Sequence, residues 1–324
     1  MAIALAIAVD VLRGGDSGSE PVVSDALLVA SIAVSPASAA PACVAACETP
    51  APSPTAVPRP CPYCGQDARR WQQLTDVAPP ELLGTSAVLM EAGCDAVIFG
   101  QRWRERRQPA SLAKIATAMI VAENAGLDDI VAVEITGWDL AVENDSTIMG
   151  LIAGMRISVE ELLYGLLLSS GNDAALELSR HLGGEARVLA LMDRRIADLG
   201  LTDTRLQNTH GLDAPGAYST PFDMAVLGRE LLRNPLLRQI VGTQFREEDW
   251  HELGGLWNGN YLLYIYEDAI GVKTGYTEGA GWSIVSAAER QGRLLVASVF
   301  NSADVYWDSM RLFDWAFDNT SSPC

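Results

Sequence analysis

From about residue 79 onward, apolar and polar positions recur with the periods of strands and helices. The short apolar segments over residues 86–91 and 96–100 predict two strands around Ala92-Gly93-Cys94-Asp95, which has a composition typical of a hairpin turn. Gln291-Gly292 marks another turn late in the chain. Three further strands are predicted in the last third of the chain, over residues 270–277, 281–288 and 294–301.

The middle of the chain has the helical period, and capping residues mark the ends of its segments. Ser158 and Glu161 form a capping-box pattern before a leucine-rich segment, and Pro221 suits the first position of a helix that reaches Arg233. Strands at both ends with helices between them predict an α+β fold, in which one antiparallel sheet carries an inserted helical region. The other predicted helices cover residues 110–125, 173–182, 185–199 and 305–317.

Residues 1–77 have a different composition, rich in Ala, Pro and Ser, which is typical of a linker. Two apolar runs, residues 1–9 and 26–34, are too short to span a bilayer. An A-x-A cleavage pattern follows the second run, although acidic residues precede it where a signal peptide is usually positive. We therefore expect export, with residues 1–77 as signal or anchor and linker, 78–318 as the main domain and 319–324 as a tail.

Four cysteines of the N-terminal segment leave three interpretations open. They would form disulfides in an oxidising compartment, hold a small zinc ion, or act as a redox pair, since C-P-Y-C resembles a glutaredoxin site. Residues 44–47 also resemble a lipobox. The four residues are Cys43, Cys47, Cys61 and Cys64.

The charge balance excludes one class of partner and singles out two residues. The chain has 324 residues, 49% hydrophobic and 20% charged, which is the composition of a globular protein. A net charge of −18 disfavours nucleic acid, whose binding depends on clustered Lys and Arg. Of 23 basic residues only Lys114 and Lys273 are lysines. Because a buried Lys can lose its proton and act as a base, whereas Arg stays protonated, both lysines are candidates for chemistry.

Both lysines lie in short motifs that follow one another as Ser111-Leu112-Ala113-Lys114, Ser170-Gly171-Asn172 and Lys273-Thr274-Gly275. On a helix that begins near Ala110, the side chains of Ser111 and Lys114 share a face, so the amine can reach the hydroxyl. A serine hydroxyl is a poor nucleophile until a base accepts its proton. Lys114 can be that base if burial and a second cation, Lys273, lower its pKa.

In this order, the motifs resemble those of the low-molecular-weight penicillin-binding D-alanyl-D-alanine carboxypeptidases, serine peptidases related in fold to class A β-lactamases. The resemblance runs over residues 79–318 and includes the longer strings at 109–114, 166–175, 210–213 and 271–277. It implies a β-lactamase/penicillin-binding transpeptidase-like fold without a cofactor. It also implies removal of the terminal D-Ala from peptidoglycan stem peptides that end in D-Ala-D-Ala, and acylation by β-lactam antibiotics.

The resemblance also implies roles for five catalytic residues. Ser111 would attack the carbonyl of the penultimate D-Ala, and Lys114 would accept its proton. Ser170 would relay a proton to the leaving amine. Asn172 would hydrogen-bond the substrate and brace Lys114, while Lys273 would supply a positive field.

Substrate binding is assigned by the same resemblance to the third motif and the residue after it. Thr274 would help bind the terminal carboxylate, beside Gly275. The backbone N–H groups of Ser111 and Tyr276 would form the oxyanion hole. Since the chain stops soon after its last predicted helix, we expect any membrane tether to be N-terminal.

Three histidines and one glutamate are further candidates for chemistry. His210 lies in one of the family-like strings, where we favour a loop-bracing role, and neither His181 nor His251 has metal-ligand spacing, so no metal is predicted. A β-lactamase would need a deacylating glutamate, for which Glu230 is the nearest match, although Arg233 departs from the expected pattern. A non-catalytic wall-binding module is the other alternative.

Overall fold

The computed structural model describes residues 74–94, 96–144, 146–251 and 253–323. The predictions for residues 1–73, namely the export signal, most of the linker and its four cysteines, lie outside the described residues. In the described part of the chain, no helix is long and apolar enough to cross a membrane.

A five-stranded antiparallel sheet forms the centre of the fold, in the order β2-β1-β9-β8-β7. The two predicted N-terminal strands pair with the three C-terminal ones through β1 and β9, so strands from both ends of the chain share one sheet. Two short antiparallel ribbons, β3 with β4 and β5 with β6, lie outside it. The strands are β1 Ser86–Glu91, β2 Ala96–Gln101, β3 Ile130–Ala132, β4 Arg156–Ser158, β5 Phe245–Glu247, β6 Gly255–Trp257, β7 Ala269–Gly275, β8 Ser283–Arg290 and β9 Arg293–Phe300.

Capping side chains mark the first residues of several helices. Ser158 caps α3 in a capping box with Glu161, and Thr220 caps α6 ahead of Pro221 at its first position. A 3-10 turn, Ala110–Ala113, leads directly into α1. The α-helices are α1 Lys114–Asn124, α2 Gly137–Asn144, α3 Val159–Leu167, α4 Asn172–His181, α5 Glu185–Asp198, α6 Pro221–Arg233, α7 Pro235–Gly242, α8 Leu262–Ile265 and α9 Val305–Asn319.

Each face of the sheet buries its own apolar core. Successive side chains of a strand point to opposite faces, so Val88 and Met90 of β1 join the core on the side of the inserted helices, which includes most of α6. Ala87 and Leu89 join the core that packs against α9. The sheet is therefore covered by helices on both faces, and the predicted α+β fold with an inserted helical region is confirmed.

Residues near the two ends of the described chain are held against α9 and the sheet. The carbonyl of Val77 accepts a hydrogen bond from the indole N–H of Trp315. At the other end, Arg293 donates to the carbonyl and the hydroxyl of Thr320. Cys94, in the turn between β1 and β2, is disulfide-bonded.

Candidate active site

Ser111 and Lys114 lie at the junction between the 3-10 turn and α1. The prediction placed Ser111 on an α-helix, whereas the structure places it in the 3-10 turn that precedes α1. Residues three apart are eclipsed in a 3-10 turn, so the two side chains come closer into line than an α-helix would bring them. Lys114 Nζ lies 3.0 Å from Ser111 Oγ.

The amine of Lys114 is surrounded by three oxygen atoms. Besides Ser111 Oγ, its Nζ lies 2.7 Å from the side-chain oxygen of Asn172 and 2.6 Å from the backbone carbonyl oxygen of His210. The amide and the carbonyl oxygens can only accept, whereas the serine hydroxyl can also donate. A neutral amine has two N–H groups and one lone pair, so it can donate to both carbonyl oxygens and accept the proton of Ser111.

Burial favours the neutral form of this amine. Lys114 is fully buried, and this burial lowers its pKa well below the usual value for lysine. The positive charge of Lys273 lowers the pKa of Lys114 further, and the carboxylate of Asp173 opposes both. Burial also lowers the pKa of Lys273, from 10.5 to about 7.

The second motif reaches the site from the turn before α4. Asn172, the first residue of α4, presents its side-chain oxygen to Lys114 and donates from its side-chain nitrogen to the hydroxyl of Ser146, 3.0 Å away. This second contact holds the far end of the amide that meets the lysine. Ser170 has a positive φ of 59°, and its carbonyl accepts a hydrogen bond from the hydroxyl of Thr147.

Asp173 holds the segment that carries Ser146 and Thr147. Its buried carboxylate accepts hydrogen bonds from the backbone N–H groups of Met149, Gly150 and Leu151, at 2.9 to 3.0 Å. Backbone donors stabilise a buried carboxylate. The start of α4 and the segment after α2 therefore form one unit beside Lys114.

The third motif lies on β7, at one edge of the sheet. Lys273 is buried and donates to the carbonyl oxygen of Thr274. At Gly275 the strand approaches the 3-10 turn so closely that a Cβ there would lie 2.9 Å from the backbone nitrogen of Ser111 and 3.1 Å from the Cβ of Ala110. Glycine is thus required where β7 meets the 3-10 turn that carries Ser111.

A loop between α5 and α6 closes the site from the side of His210. Gly211 has a positive φ of 89°, and a Cβ there would lie 2.1 Å from the carbonyl oxygen of Ala110. The ring of His210 accepts from the backbone N–H of Leu212, and burial, followed by the charge of Lys114, lowers the pKa of His210 to about 4. The neutral ring thus braces its loop, while the backbone carbonyl of the same residue contacts the lysine.

These elements surround a cleft of about 410 Å³. The structure brings together all the predicted site residues, since Lys114 contacts Ser111 at the edge of this cleft and the others line it. Half-exposed Tyr276 packs against Trp282 at the cleft mouth, with ring centroids 4.9 Å apart. The predicted residues that line the cleft are Ser111, Ser170, Asn172, Lys273, Thr274, Gly275 and Tyr276.

Comparison with known proteins identifies the family of this chain. The family model described as D-alanyl-D-alanine carboxypeptidase, peptidase family S11, matches residues 73–304. The chain belongs to the D-alanyl-D-alanine carboxypeptidase family. The family resemblance expected from the three motifs is thereby confirmed.

The chain is about one third identical to several bacterial D-alanyl-D-alanine carboxypeptidases. D-alanyl-D-alanine carboxypeptidase DacB2 of Mycobacterium tuberculosis is 34% identical over 232 residues, which cover 68% of this chain and 78% of the relative. DacD of Salmonella typhimurium is also 34% identical, over 239 residues and 69% of this chain. That match spans only 59% of the length of DacD, so less than two thirds of this relative is represented.

Solved structures agree on the fold. The crystal structure of the Streptomyces K15 DD-transpeptidase superposes with a TM-score of 0.70 at 29% identity, covering 75% of this chain and all of that one (100%). A D-alanyl-D-alanine carboxypeptidase of Mycobacterium tuberculosis H37Rv gives a TM-score of 0.69 at 31% identity, covering 76% of this chain and 96% of the other.

Glu230, the nearest match to the deacylating glutamate of a β-lactamase, does not line the cleft that contains Ser111. It is a buried residue of α6 and pairs with the guanidinium groups of Arg229 and Arg233, at 2.6 and 2.7 Å. It lines a separate cavity together with Arg195 and Leu237. Its carboxylate is therefore held by arginines and is not presented to Ser111.

Three contacts of the site were not foreseen from the sequence. They are the carbonyl of His210 on Lys114, the hydroxyl of Ser146 on Asn172, and the backbone donors around Asp173. A backbone carbonyl has no sequence signature, since every residue has one. Asp173 does stand in the string 166–175 that carried the family resemblance, which was the one available signal.

Proposed function

We propose that this protein is a serine D-Ala-D-Ala carboxypeptidase that removes the terminal D-Ala from peptidoglycan stem peptides. The observation that carries the proposal is the arrangement around Lys114 Nζ, which has two acceptor-only oxygens at 2.7 and 2.6 Å and the Ser111 hydroxyl at 3.0 Å. A buried amine with this set of neighbours is a base directed at one hydroxyl.

Acylation would proceed from this arrangement. Ser111 Oγ attacks the carbonyl carbon of the penultimate D-Ala, while its proton passes to Lys114 Nζ. The C–N bond to the terminal D-Ala then breaks, and the leaving nitrogen takes a proton through the Ser170 hydroxyl. Water subsequently attacks the Ser111 ester, which releases the shortened peptide and restores the hydroxyl.

The other residues of the cleft would stabilise charge and orient the substrate. The backbone N–H groups of Ser111 and Tyr276 form the oxyanion hole, a contribution whose removal costs about 3 kcal/mol of barrier in serine peptidases. Thr274 binds the terminal carboxylate, and Lys273 supplies the field that attracts it. Support for this comes from the close approach of Gly275 to the Ser111 nitrogen, which brings the two backbones together.

We further propose that the enzyme works outside the cytoplasm, where its substrate is, and that β-lactam antibiotics acylate Ser111. An N-terminal membrane tether within residues 1–77 fits this location, because a tethered enzyme remains near newly made cell wall. The acidic chain, with its net charge of −18, has no nucleic-acid partner in this proposal.

Intact-protein mass spectrometry after exposure to benzylpenicillin tests the proposal. We expect one long-lived adduct that maps to Ser111 and is absent in Ser111→Ala, together with release of D-alanine from a peptide that ends in D-Ala-D-Ala. Rapid hydrolysis of the drug would indicate a β-lactamase instead. A chain that forms no adduct and releases no D-alanine would be a binding module.

A further inference from the structure

The 3-10 turn that carries Ser111 packs against two segments that are far apart in the chain. One is the loop between α5 and α6, where a Cβ at Gly211 would overlap the carbonyl oxygen of Ala110. The other is the end of β7, where a Cβ at Gly275 would lie 2.9 Å from the nitrogen of Ser111. Because neither position has room for a side chain, each segment lies directly against the turn at a glycine.

Each of these glycines has a neighbour with a part in the proposed reaction. His210, just before Gly211, presents its backbone carbonyl to Lys114 Nζ at 2.6 Å. Tyr276, just after Gly275, carries a backbone N–H that binds the oxyanion in the proposed function. The position of this N–H affects the reaction barrier, because the donors of an oxyanion hole must lie within hydrogen-bond distance of the developing charge.

Asp213 joins the two segments through hydrogen bonds. Asp213 and Thr277 each lie two residues after one of the two glycines, and the carboxylate accepts a hydrogen bond from the hydroxyl of Thr277 at 2.7 Å. It also accepts one from the backbone N–H of Gly279 at 3.0 Å. These contacts connect positions 64 and 66 residues apart in the chain, so they tie the loop after β7 to the loop before α6.

Thr277 also organises the loop between β7 and β8. Its hydroxyl accepts a hydrogen bond from the backbone N–H of Ala280 at 3.1 Å, and its carbonyl accepts one from Gly281 at 2.9 Å. The contact with Asp213 is therefore passed to the whole loop that follows Tyr276.

The segment that carries Asp213 is held in a similar way. The side chain of Asn208 accepts a hydrogen bond from the backbone N–H of Gly211 at 2.6 Å and donates one to the carbonyl of Leu212 at 2.9 Å. Because the loops on both sides are internally hydrogen-bonded, the contact between Asp213 and Thr277 sets the distance between them.

We propose that Asp213 is a positioning residue of the reaction, which holds the backbone N–H of Tyr276 at its place in the oxyanion hole. On one side Tyr276 is fixed by the close approach of Gly275 to Ser111, and on the other by Thr277, which Asp213 holds. Removing the carboxylate leaves the N–H fixed on one side. The inference rests on the proposed function, since it assigns a further residue to the same reaction.

Acylation by benzylpenicillin, followed by rapid quench and intact-protein mass spectrometry, tests this inference. The dependence of the rate on drug concentration separates the dissociation constant of the initial complex from the limiting rate constant of acylation. We expect Asp213→Ala to lower the limiting rate constant by about tenfold, because loss of an oxyanion donor costs roughly a hundredfold or more and here the donor is only loosened. The dissociation constant should stay near that of the parent protein, since the oxyanion forms after binding.

Asp129→Ala is the matched control for this measurement. Asp129 is an exposed aspartate that accepts a hydrogen bond from the backbone N–H of Gly126 at 3.0 Å, and it does not line the cleft. We expect this variant to be acylated at the rate of the parent protein.

Variants of Thr277 test the contact from its other end. Thr277→Val should slow acylation by a factor similar to that of Asp213→Ala, whereas Thr277→Ser, which keeps the hydroxyl, should slow it less. The double variant should be little slower than the slower single variant, because both substitutions remove the same contact.

A boronic acid analogue of the substrate distinguishes positioning from a general effect on the cleft. Its boron bonds to Ser111 Oγ, and one boronate oxygen then occupies the place of the oxyanion. The inhibition constant of Asp213→Ala should rise in proportion to the loss in acylation rate. The urea midpoint should match that of Asp129→Ala, because Asp213 is also exposed.

Equal limiting rate constants in the parent protein and Asp213→Ala would overturn the inference, as would a loss confined to the dissociation constant. It would also be overturned if the double variant were slowed by the product of the two single factors, or if slower acylation left the boronate inhibition constant unchanged. A parent protein that benzylpenicillin does not acylate at Ser111 would refute the proposed function, and this inference with it.

Discussion

At the scale of single residues, the site depends on the protonation of one amine. Lys114 is buried next to a second lysine, and both burial and the neighbouring charge disfavour its cationic form. The amide of Asn172 and the carbonyl of His210 are neutral acceptors, so they orient the amine without supplying a negative charge that would keep it protonated. The hydroxyl of Ser111 therefore lies beside an amine whose neutral form has a lone pair to offer it.

Replacing Lys273 should move the pH dependence of acylation. The positive charge of Lys273 lowers the pKa of Lys114, so Lys273→Ala should raise that pKa, and the acid limb of the acylation rate should shift to higher pH. The rate constant for benzylpenicillin measured across pH checks this. Lys273→Arg is the matched control, because it keeps the positive charge and should not move the acid limb of the acylation rate to higher pH. If the acid limb of Lys273→Ala stays at the pH of the parent protein, the charge of Lys273 does not lower the pKa of Lys114.

Sequence and structure agree best on the residues whose chemistry is local to a motif. The contact between Ser111 and Lys114 could be predicted because both residues lie within one turn. The contact of Lys114 with the His210 carbonyl could not, since it joins positions 96 residues apart through a backbone atom. Tertiary packing, not a side-chain pattern, creates that contact.

At the scale of elements, the site exists because β7, the 3-10 turn and the start of α4 meet at one place. At Gly275, β7 has no room for a side chain against the 3-10 turn. Capped helices such as α3 and α6 could be predicted from sequence because their end signals are local. Helix α2 and the β5–β6 ribbon could not, since they are short and owe their form to packing.

Gly275→Ala should impair catalysis far more than folding. The added Cβ would lie 2.9 Å from the Ser111 nitrogen, which pushes β7 away from the nucleophile by a few tenths of an ångström. We expect acylation to slow by about tenfold, since a misplacement of about 1 Å costs roughly a hundredfold and this shift is smaller. Gly242→Ala is the control, since its Cβ would meet only Ile270 O at 3.4 Å. Equal acylation rates would show that the close approach is unimportant.

Asp173→Asn should lower the free energy of unfolding by about 3 kcal/mol. In the parent protein the backbone N–H groups of Gly150 and Leu151 donate to a carboxylate oxygen, whereas in the variant an amide nitrogen, itself a donor, would take the place of one carboxylate oxygen. Urea unfolding measures the change, with the exposed Asp128→Asn as the control. A difference below about 0.5 kcal/mol, the range of ordinary surface substitutions, would mean that Asp173 does not hold the Met149–Leu151 segment.

At the scale of the whole molecule, the two buried lysines make stability depend on pH. Unfolded lysine has a pKa of 10.5, whereas burial lowers that of Lys273 to about 7. Between these values the unfolded chain binds more protons at this site than the folded one, so the free energy of unfolding rises with pH. Below about pH 7 the buried amine of Lys273 is protonated in the folded protein, and the loss of folding free energy caused by this buried charge is then at its largest.

Comparison with Lys273→Met isolates this effect. The free energy of unfolding of the parent protein, relative to the variant, should increase between pH 7 and pH 10 by up to about 1.4 kcal/mol per pH unit. Urea titrations at several pH values measure it. A constant difference across this range would show that Lys273 has an ordinary pKa in the folded protein.

The protonation state of Lys114 can be observed directly, because the chain contains only two lysines, Lys114 and Lys273. Labelling lysine with ¹³C at Cε and ¹⁵N at Nζ gives two NMR signals, which Lys273→Arg assigns. We expect the Lys114 signal to titrate with a midpoint well below 10.5 and to report a neutral amine in the pH range where Ser111 is acylated. A midpoint at or above 10.5 would leave Ser111 without its base and would contradict the account.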